Sequence, residues 1–436
     1  NSSFVHQIMD SDVPAATVAE DPFGATQGAE TPVTLPRDLY APERPNSVGR
    51  DLSDPEVWAK LDHGRASFQD MQWFAGSAAE NPKFQPLDIH NPSNPADVVG
   101  QVSLATVKTA GEAVAAARMW DADNRAAVLQ RAADLYEESA AEFFALLSRE
   151  AGKTPLDCEA ELREAVDFLR YYAARSSDLV HPPLGRIACI SPWNFPLAIF
   201  SGQIAAALAA GNAVLAKPAE ATPLVASRAV ALLYSAGVPP SALQLLPGEG
   251  AEVGAALTSD PRIDGVAFTG STATAQAIHR AMAANLVPGA PLIAETGGLN
   301  AMIVDSTALP EQAVKDVIQS AFQSAGQRCS ALRCLYVQSD IAGPFLHALK
   351  GAMDELTIGN PWLLSTDIGP GIDDRAEAGI AKHIARAAAQ GRLLHRKEVP
   401  SGGGTFIGPT LIRVNGIADI KEEVFVPVLH VATFQA

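Results

Sequence analysis

The sequence is short of several things that whole classes of protein depend on. Four cysteines among 436 residues cannot build a disulfide framework in a chain this long, so a reducing, cytoplasmic setting is expected. Basic residues are in the minority: 32 Lys and Arg stand against 49 Asp and Glu, for a formal net charge of -17. That balance argues against general nucleic-acid binding and favours solubility. Charged residues make up 19% and apolar residues 47%, which is too little charge for a disordered chain and enough apolar material for a large core. No uninterrupted apolar run is long enough to span a bilayer. The longest, Leu197 to Ala216, is broken by Ser201, Gln203, Gly211 and Asn212, and reads as a buried helix followed by a strand. The first residues are polar, without a basic region followed by an apolar one, so no secretory leader is expected there. No internal repeat is evident, and the length suggests two or three domains.

Residues 1 to 45 read as a tail or linker, rich in Asp, Glu, Pro, Gly and Thr. The chain starts without methionine, so Asn1 to Met9 is expected to be the end of something larger. Residues 46 to 100 are mixed, with a turn cluster at Asn91 to Pro95 and a strand expected at Val98 to Val102. From Val107 to Arg175 apolar residues recur at helical spacing. Gly152-Lys-Thr-Pro155 breaks that pattern and is no phosphate loop, because the upstream glycine spacing is absent. An alternation follows. Strands are expected at 187–190, 213–216, 243–246 and 265–268, with helices at 203–210, 224–236, 251–257 and 274–284. This order predicts a parallel sheet with helices on both faces, whose ligands bind beyond the carboxyl ends of the strands. A second α/β unit is expected to begin with strands at 292–294 and 301–304. A helix leading to Cys329 comes next, then a strand at 332–337 and a helix at 345–356.

The residues just after each strand carry the candidate chemistry. Cys329 lies in Gln319 to Cys334, past a helix that Gly326 ends or bends. A thiol on such a turn is exposed and reactive, whereas a free cysteine elsewhere is usually a small buried hydrophobe. Ser191-Pro-Trp-Asn-Phe-Pro196 is a rigid turn in which Asn194 suits an oxyanion, or simply satisfies the turn. Lys217-Pro-Ala-Glu220 suits ribose hydroxyls, the acid favouring NAD over NADP; a surface ion pair is the alternative. Gly248 to Gly254 resembles a dinucleotide fingerprint with one residue too many. Phe268-Thr-Gly-Ser271 opens a helix fit for a pyrophosphate, or one that is merely capped. Glu295, before Gly297 and Gly298, is placed to activate water, or to bond nearby N–H groups.

Together and in this order, these motifs resemble the NAD-dependent aldehyde dehydrogenase superfamily, from about residue 85 onward. The N-terminal stretches Asn1 to His6 and Leu35 to Tyr40, with Glu295 to Val337, further resemble the bifunctional proline-utilisation family. There a proline dehydrogenase precedes a glutamate-semialdehyde (pyrroline-5-carboxylate) dehydrogenase. The resemblance implies an α/β fold with three parts: a tail over 1–45 like the end of a proline dehydrogenase region, a Rossmann-like NAD-binding domain with N-terminal helices over 46–290, and an incomplete catalytic domain over 291–436. It implies Cys329 as nucleophile, Asn194 as oxyanion donor and Glu295 as general base. Cofactor contacts are implied at Ile190, Ser191, Pro192, Trp193, Lys217, Glu220, Gly250, Gly254, Phe268, Thr269, Gly270, Ser271, Gly297, Glu423 and Phe425, and substrate contacts at Ser330 and Phe195. The implied cofactor is NAD, with no metal, and the full-length family member is a homo-oligomer.

Three departures from the family pattern stand out. Val426 replaces a glycine, where a side chain is expected to crowd the cofactor or shift Glu423. Leu299 stands where a polar Gln is common. The chain stops before the family's substrate-anchoring loop and oligomerisation strand, so a fragment is expected. The residues leave open a different semialdehyde as substrate, a catalytically silent NAD-binding scaffold, and a cysteine hydrolase.

Overall fold

The computed structural model describes residues 4–21, 33–76, 86–400 and 403–435. Asn1 to Ser3 of the N-terminal motif therefore lie outside the described residues. Residues Asn1–Asn46 form one compact unit and Ser47–Ala436 another. The first unit, the stretch read as a tail or linker, carries α1 (Phe4–Met9), α2 (Ala15–Val18) and a 3-10 turn at Pro36–Asp38.

The second unit opens with α3 (Pro55–Ala66) and a small sheet of β1 (Trp73–Ala75), β2 (Leu87–Asn91) and β3 (Asn94–Val102), ordered β1-β3-β2. Four helices follow: α4 (Val107–Ala116), α5 (Arg125–Glu138), α6 (Ala140–Ala151) and α7 (Pro155–Arg175). Then comes the alternating region: β4 (Arg186–Ile190), α8 (Ala198–Ala209), β5 (Ala213–Lys217), α9 (Pro223–Ala236), β6 (Leu243–Leu245), α10 (Ala255–Ser259), β7 (Gly265–Gly270), α11 (Thr272–Asn285) and β8 (Leu292–Thr296). These strands form one all-parallel sheet in the order β6-β5-β4-β7-β8. The chain grows outward from β4 to β6 and then crosses back to β7 on the other side of β4. That reversal opens a crevice at the strand ends.

The long apolar stretch resolves as α8 and β5. Apart from Ser201 and Gln203 the helix is apolar all round, as suits its burial among α7, α5 and the sheet. No helix among the described residues is long and apolar enough to cross a membrane.

One strand falls in a different sheet from the one expected. β8 had been read as the start of the second α/β unit, but it pairs with β7 and closes the first sheet. An apolar run reveals a strand, not which sheet it will join. The second sheet has the order β11-β12-β13-β10-β9. It is made of β9 (Asn300–Val304), β10 (Leu332–Gln338), β11 (Leu393–Arg396), β12 (Thr410–Arg413) and β13 (Val428–Phe434), with α12 (Pro310–Phe322), α13 (Ser339–Glu355) and α14 (Asp374–Ala389). Only β11 runs antiparallel to its neighbour.

Val426 does not crowd the crevice. Its side chain is 3% exposed and packs with Ile384, Ile407, Ile412 and Val428 in a core beneath the second sheet. Leu299 likewise rests on an apolar cluster with Cys334, Val414 and Ile420.

On β13, His430 is buried and meets His383 of α14, Nε2 to Nε2, at 3.0 Å. The Nδ1–H of His430 donates to the Arg333 carbonyl at 3.2 Å, so its Nε2 must accept from His383. Protonated His430 would set N–H against N–H. Burial, reinforced by His383 and nearby arginines, pushes the His430 imidazole down to about 4. Unfolded histidine binds its proton near pH 6.5, so stability is expected to fall as pH drops from above 6.5 towards 4, by on the order of 3 kcal/mol from this group. Denaturant unfolding across that range measures it. His430→Gln should flatten the slope, and an unchanged slope would contradict the assignment.

Candidate active site

The turn that carries Cys329 begins where α12 ends at Phe322. Ser324 and Ala325 then take left-handed backbone angles, φ 53° and 54°, followed by Gly326 at 66°. Two non-glycine residues in that region store strain of about 1–3 kcal/mol each, held in place by the surrounding structure. Gly326 has no alternative: a Cβ there would lie 2.5 Å from the Val426 carbonyl oxygen. The turn delivers Cys329 to the surface. Of the four cysteines, Cys329 is exposed while Cys158, Cys189 and Cys334 are buried. Burial pushes the Cys158 and Cys189 thiols up to about 12.

The carbonyls around this turn are held from separate elements. Asn194, 6% exposed, donates its side-chain N–H to the Gln327 carbonyl at 3.1 Å. Asn300, at the start of β9, donates to the carbonyls of Cys329 at 2.8 Å and Ala331 at 3.0 Å. Arg333 of β10 donates to the Arg328 carbonyl at 3.0 Å. Arg328 itself pairs with Asp157 of α7 at 2.9 Å.

Asn194 is braced from behind. Lys153 Nζ donates to its backbone carbonyl at 2.6 Å and pairs with Glu161 at 3.4 Å. Glu161 accepts from the N–H groups of Leu197 and Ala198, capping α8 from another helix. Burial raises the Glu161 carboxyl, and the Lys153 charge opposes that rise. Two cations lie near the Phe195 ring, with Lys153 Nζ 4.9 Å and the Arg328 guanidinium 5.9 Å from its centroid.

Glu295 is the penultimate residue of β8, in register with Thr269 of β7, and is exposed. It lines a cavity of about 500 Å³ together with Cys329, Gln203, Thr269, Phe268, Phe168 and Tyr172. Asn194, Phe195 and Ser330 are not among its lining residues, although Ser330 adjoins the thiol on the exposed turn.

The residues expected at a cofactor gather into two groups. In one, Lys217 and Glu220 pair at 3.0 Å. Gly250 N–H donates to Glu220 at 2.5 Å, and Gly254 lies against the Lys217 stem. Burial raises the Glu220 carboxyl, but Lys217 and the surrounding N–H groups outweigh it and hold it below the usual carboxylate value. In the other, Glu423 leans on Gly297, where a Cβ would lie 1.8 Å from its carboxylate. Phe425 meets the edge of Trp193 at 5.7 Å between centroids. Ile190, Ser191 and Pro192 run along the end of β4, and the Ser191 hydroxyl is buried without a partner among the described residues. Ser271 caps α11 through Thr274 N–H at 3.1 Å, so the ordinary cap is present at the end of β7. Gly270 follows Thr269 there, with Phe268 folded beneath it.

Residues 79–436 match the model described as "Aldehyde dehydrogenase family". The chain belongs to the aldehyde dehydrogenase family. It is 48% identical over 469 residues to the "Bifunctional protein PutA" of Klebsiella aerogenes, covering 100% of this chain and 36% of that protein. The chain thus spans about a third of the length of the PutA relatives it matches, 36% in this case. It is 36% identical over 370 residues to "1-pyrroline-5-carboxylate dehydrogenase" of Bacillus cereus, covering 78% of this chain and 71% of the other. Among solved structures, PutA from Bdellovibrio bacteriovorus inactivated by N-propargylglycine superposes with a TM-score of 0.87 at 30% identity, over 100% of this chain and 48% of that one. A 1-pyrroline-5-carboxylate dehydrogenase from Thermus with bound NAD gives 0.83 at 31% identity, over 90% and 82%.

Sequence reading had missed Asn300, Arg333, Lys153 and Glu161. Only Lys153 carried a signal, standing in a helix break that the glycine spacing already showed to be no phosphate loop, and nothing in that signal pointed to Asn194.

Two outcomes follow for the thiol turn. In the native protein iodoacetamide should label Cys329 alone, as read by peptide mass spectrometry, and labelling should vanish in Cys329→Ser; native labelling at Cys158 or Cys189 would contradict the burial pattern. Gly326→Ala should lower stability by about 2 kcal/mol or more in denaturant unfolding, since it adds both a disfavoured φ and a clash.

Proposed function

We propose that this chain carries an NAD-dependent dehydrogenase site. It oxidises L-glutamate 5-semialdehyde, the open form of pyrroline-5-carboxylate, to L-glutamate in proline catabolism. One observation carries the reading. The exposed cysteine shares a cavity with Glu295, and the Asn194 amide is tied to the carbonyl two residues before the thiol.

The Cys329 thiolate attacks the aldehyde carbon. The oxygen that gains charge is met by the second N–H of the Asn194 amide, its first being held by Gln327, and by the backbone N–H of Cys329. Bound NAD supplies the hydride acceptor, so that a thioester is left on Cys329. Glu295, exposed at the strand end, takes a proton from the water that hydrolyses this thioester. Phe195 packs on the aliphatic part of the substrate and Ser330 contacts its carboxylate.

The residues fit a dinucleotide. Glu220, kept ionised, accepts ribose hydroxyls beside Lys217, and Gly250 and Gly254 leave that side open. The Ser191 hydroxyl, without a partner among the described residues, is a donor for the same group. The start of α11 offers backbone N–H groups to the pyrophosphate. Glu423 and Phe425 hold the nicotinamide side. The free thiols suit a reducing cytoplasm, and the family resemblance supports a homo-oligomeric longer protein.

Mixing the chain with pyrroline-5-carboxylate and NAD should yield NADH, followed by absorbance. Asn194→Ala should lower kcat by about a hundredfold, a typical loss for one oxyanion donor, and Cys329→Ser should abolish turnover. A folded, NAD-binding sample that makes no NADH would contradict the proposal.

A further inference from the structure

Arg333 is 1% exposed, and the mechanism above gives it no task. A buried guanidinium is costly unless its donors are used. Strand pairing shows how it comes to be there. Leu332 pairs with Asn300, but Cys334 pairs with Ala301, so Arg333 is the extra residue of a β-bulge between β10 and β9. Bulges re-aim a side chain and recur beside active sites. Here the bulge turns the guanidinium toward residues that are distant in sequence.

One nitrogen, Nη2, donates to the Arg328 carbonyl at 3.0 Å and pairs with Glu423 at 3.2 Å. The other, Nη1, donates to the Val426 carbonyl at 3.3 Å. The plane lies 5.2 Å from the Phe425 ring centroid. A single side chain thus joins the residue before the nucleophile to both residues read above as holding the nicotinamide side. Burial raises the Glu423 carboxyl and Arg333 opposes that rise.

We infer that Arg333 is a positioning residue. It holds the Glu423 carboxylate in its aim through the 3.2 Å pair, and it fixes the cofactor side in register with the Cys329 turn. The inference rests on the reading of Glu423 as a cofactor contact. Lysine cannot fully replace arginine here, because one ammonium lacks the fork that lets two nitrogens serve the Arg328 and Val426 carbonyls and Glu423 together.

The test is a double-mutant cycle on NADH affinity, measured by fluorescence with the full chain. Arg333→Met should weaken NADH binding by about tenfold, and Glu423→Gln by a similar factor. The double variant should bind no more than about twofold worse than the weaker single variant, because Arg333 acts through Glu423. Arg333→Lys should recover part of the loss, and it carries the same cycle if the methionine variant does not fold. Additive losses, of about a hundredfold in the double variant, would overturn the inference, as would wild-type affinity in Arg333→Met. Absence of NADH binding by the unaltered chain would overturn the cofactor reading and this inference with it.

Discussion

Backbone carbonyls around a strained turn need donors, and the site is built on meeting that need. The segment from Gln327 to Ala331 leaves helical and strand geometry, so its carbonyls have no ladder to join. Asn194 takes the first, Arg333 the next, and Asn300 the carbonyls of Cys329 and Ala331. Asn194 sits beyond the first sheet, and the other two donors sit on the second. These carbonyls are therefore met only while both sheets are in place, and the same bonds tie the Asn194 amide to the turn that carries the thiol. Stability and chemistry share these hydrogen bonds.

The supports extend further back. Glu150 and Glu161 are both buried carboxylates that accept two backbone N–H groups at the start of a helix they do not belong to. Burial pushes Glu150 up to about 8. Glu161 has a charged partner in Lys153, and that lysine also grips the Asn194 carbonyl. A carboxylate that caps α8 thereby also stiffens the turn leading into it. In such an arrangement, helix packing and the aim of the Asn194 amide are not separable.

Much of this was legible in the sequence, for identifiable reasons. The βαβ alternation marked the first sheet and its strand ends, because apolar runs and helical spacing are local signals. Cys329, Asn194 and Glu295 stood out as reactive residue types just after strands or at a helix break. The placement of β8 was not legible, since pairing partners are a non-local property. Arg333 was invisible for a similar reason: within a strand it reads as an ordinary polar residue, and only the bulge reveals its direction. Val426 was misjudged because replacing a glycine suggests intrusion. The backbone instead turns that side chain into a core formed by α14 and β12, elements the sequence reading had not located.

The central claim is that Cys329 carries the substrate covalently and that Glu295 releases it. The most direct measurement is peptide mass spectrometry of Glu295→Gln, mixed with pyrroline-5-carboxylate and NAD and quenched in acid. The account predicts an acyl adduct on Cys329 that accumulates with the first equivalent of NADH and then stalls. Formation of NADH without any adduct on Cys329, or with one on another residue, would contradict it.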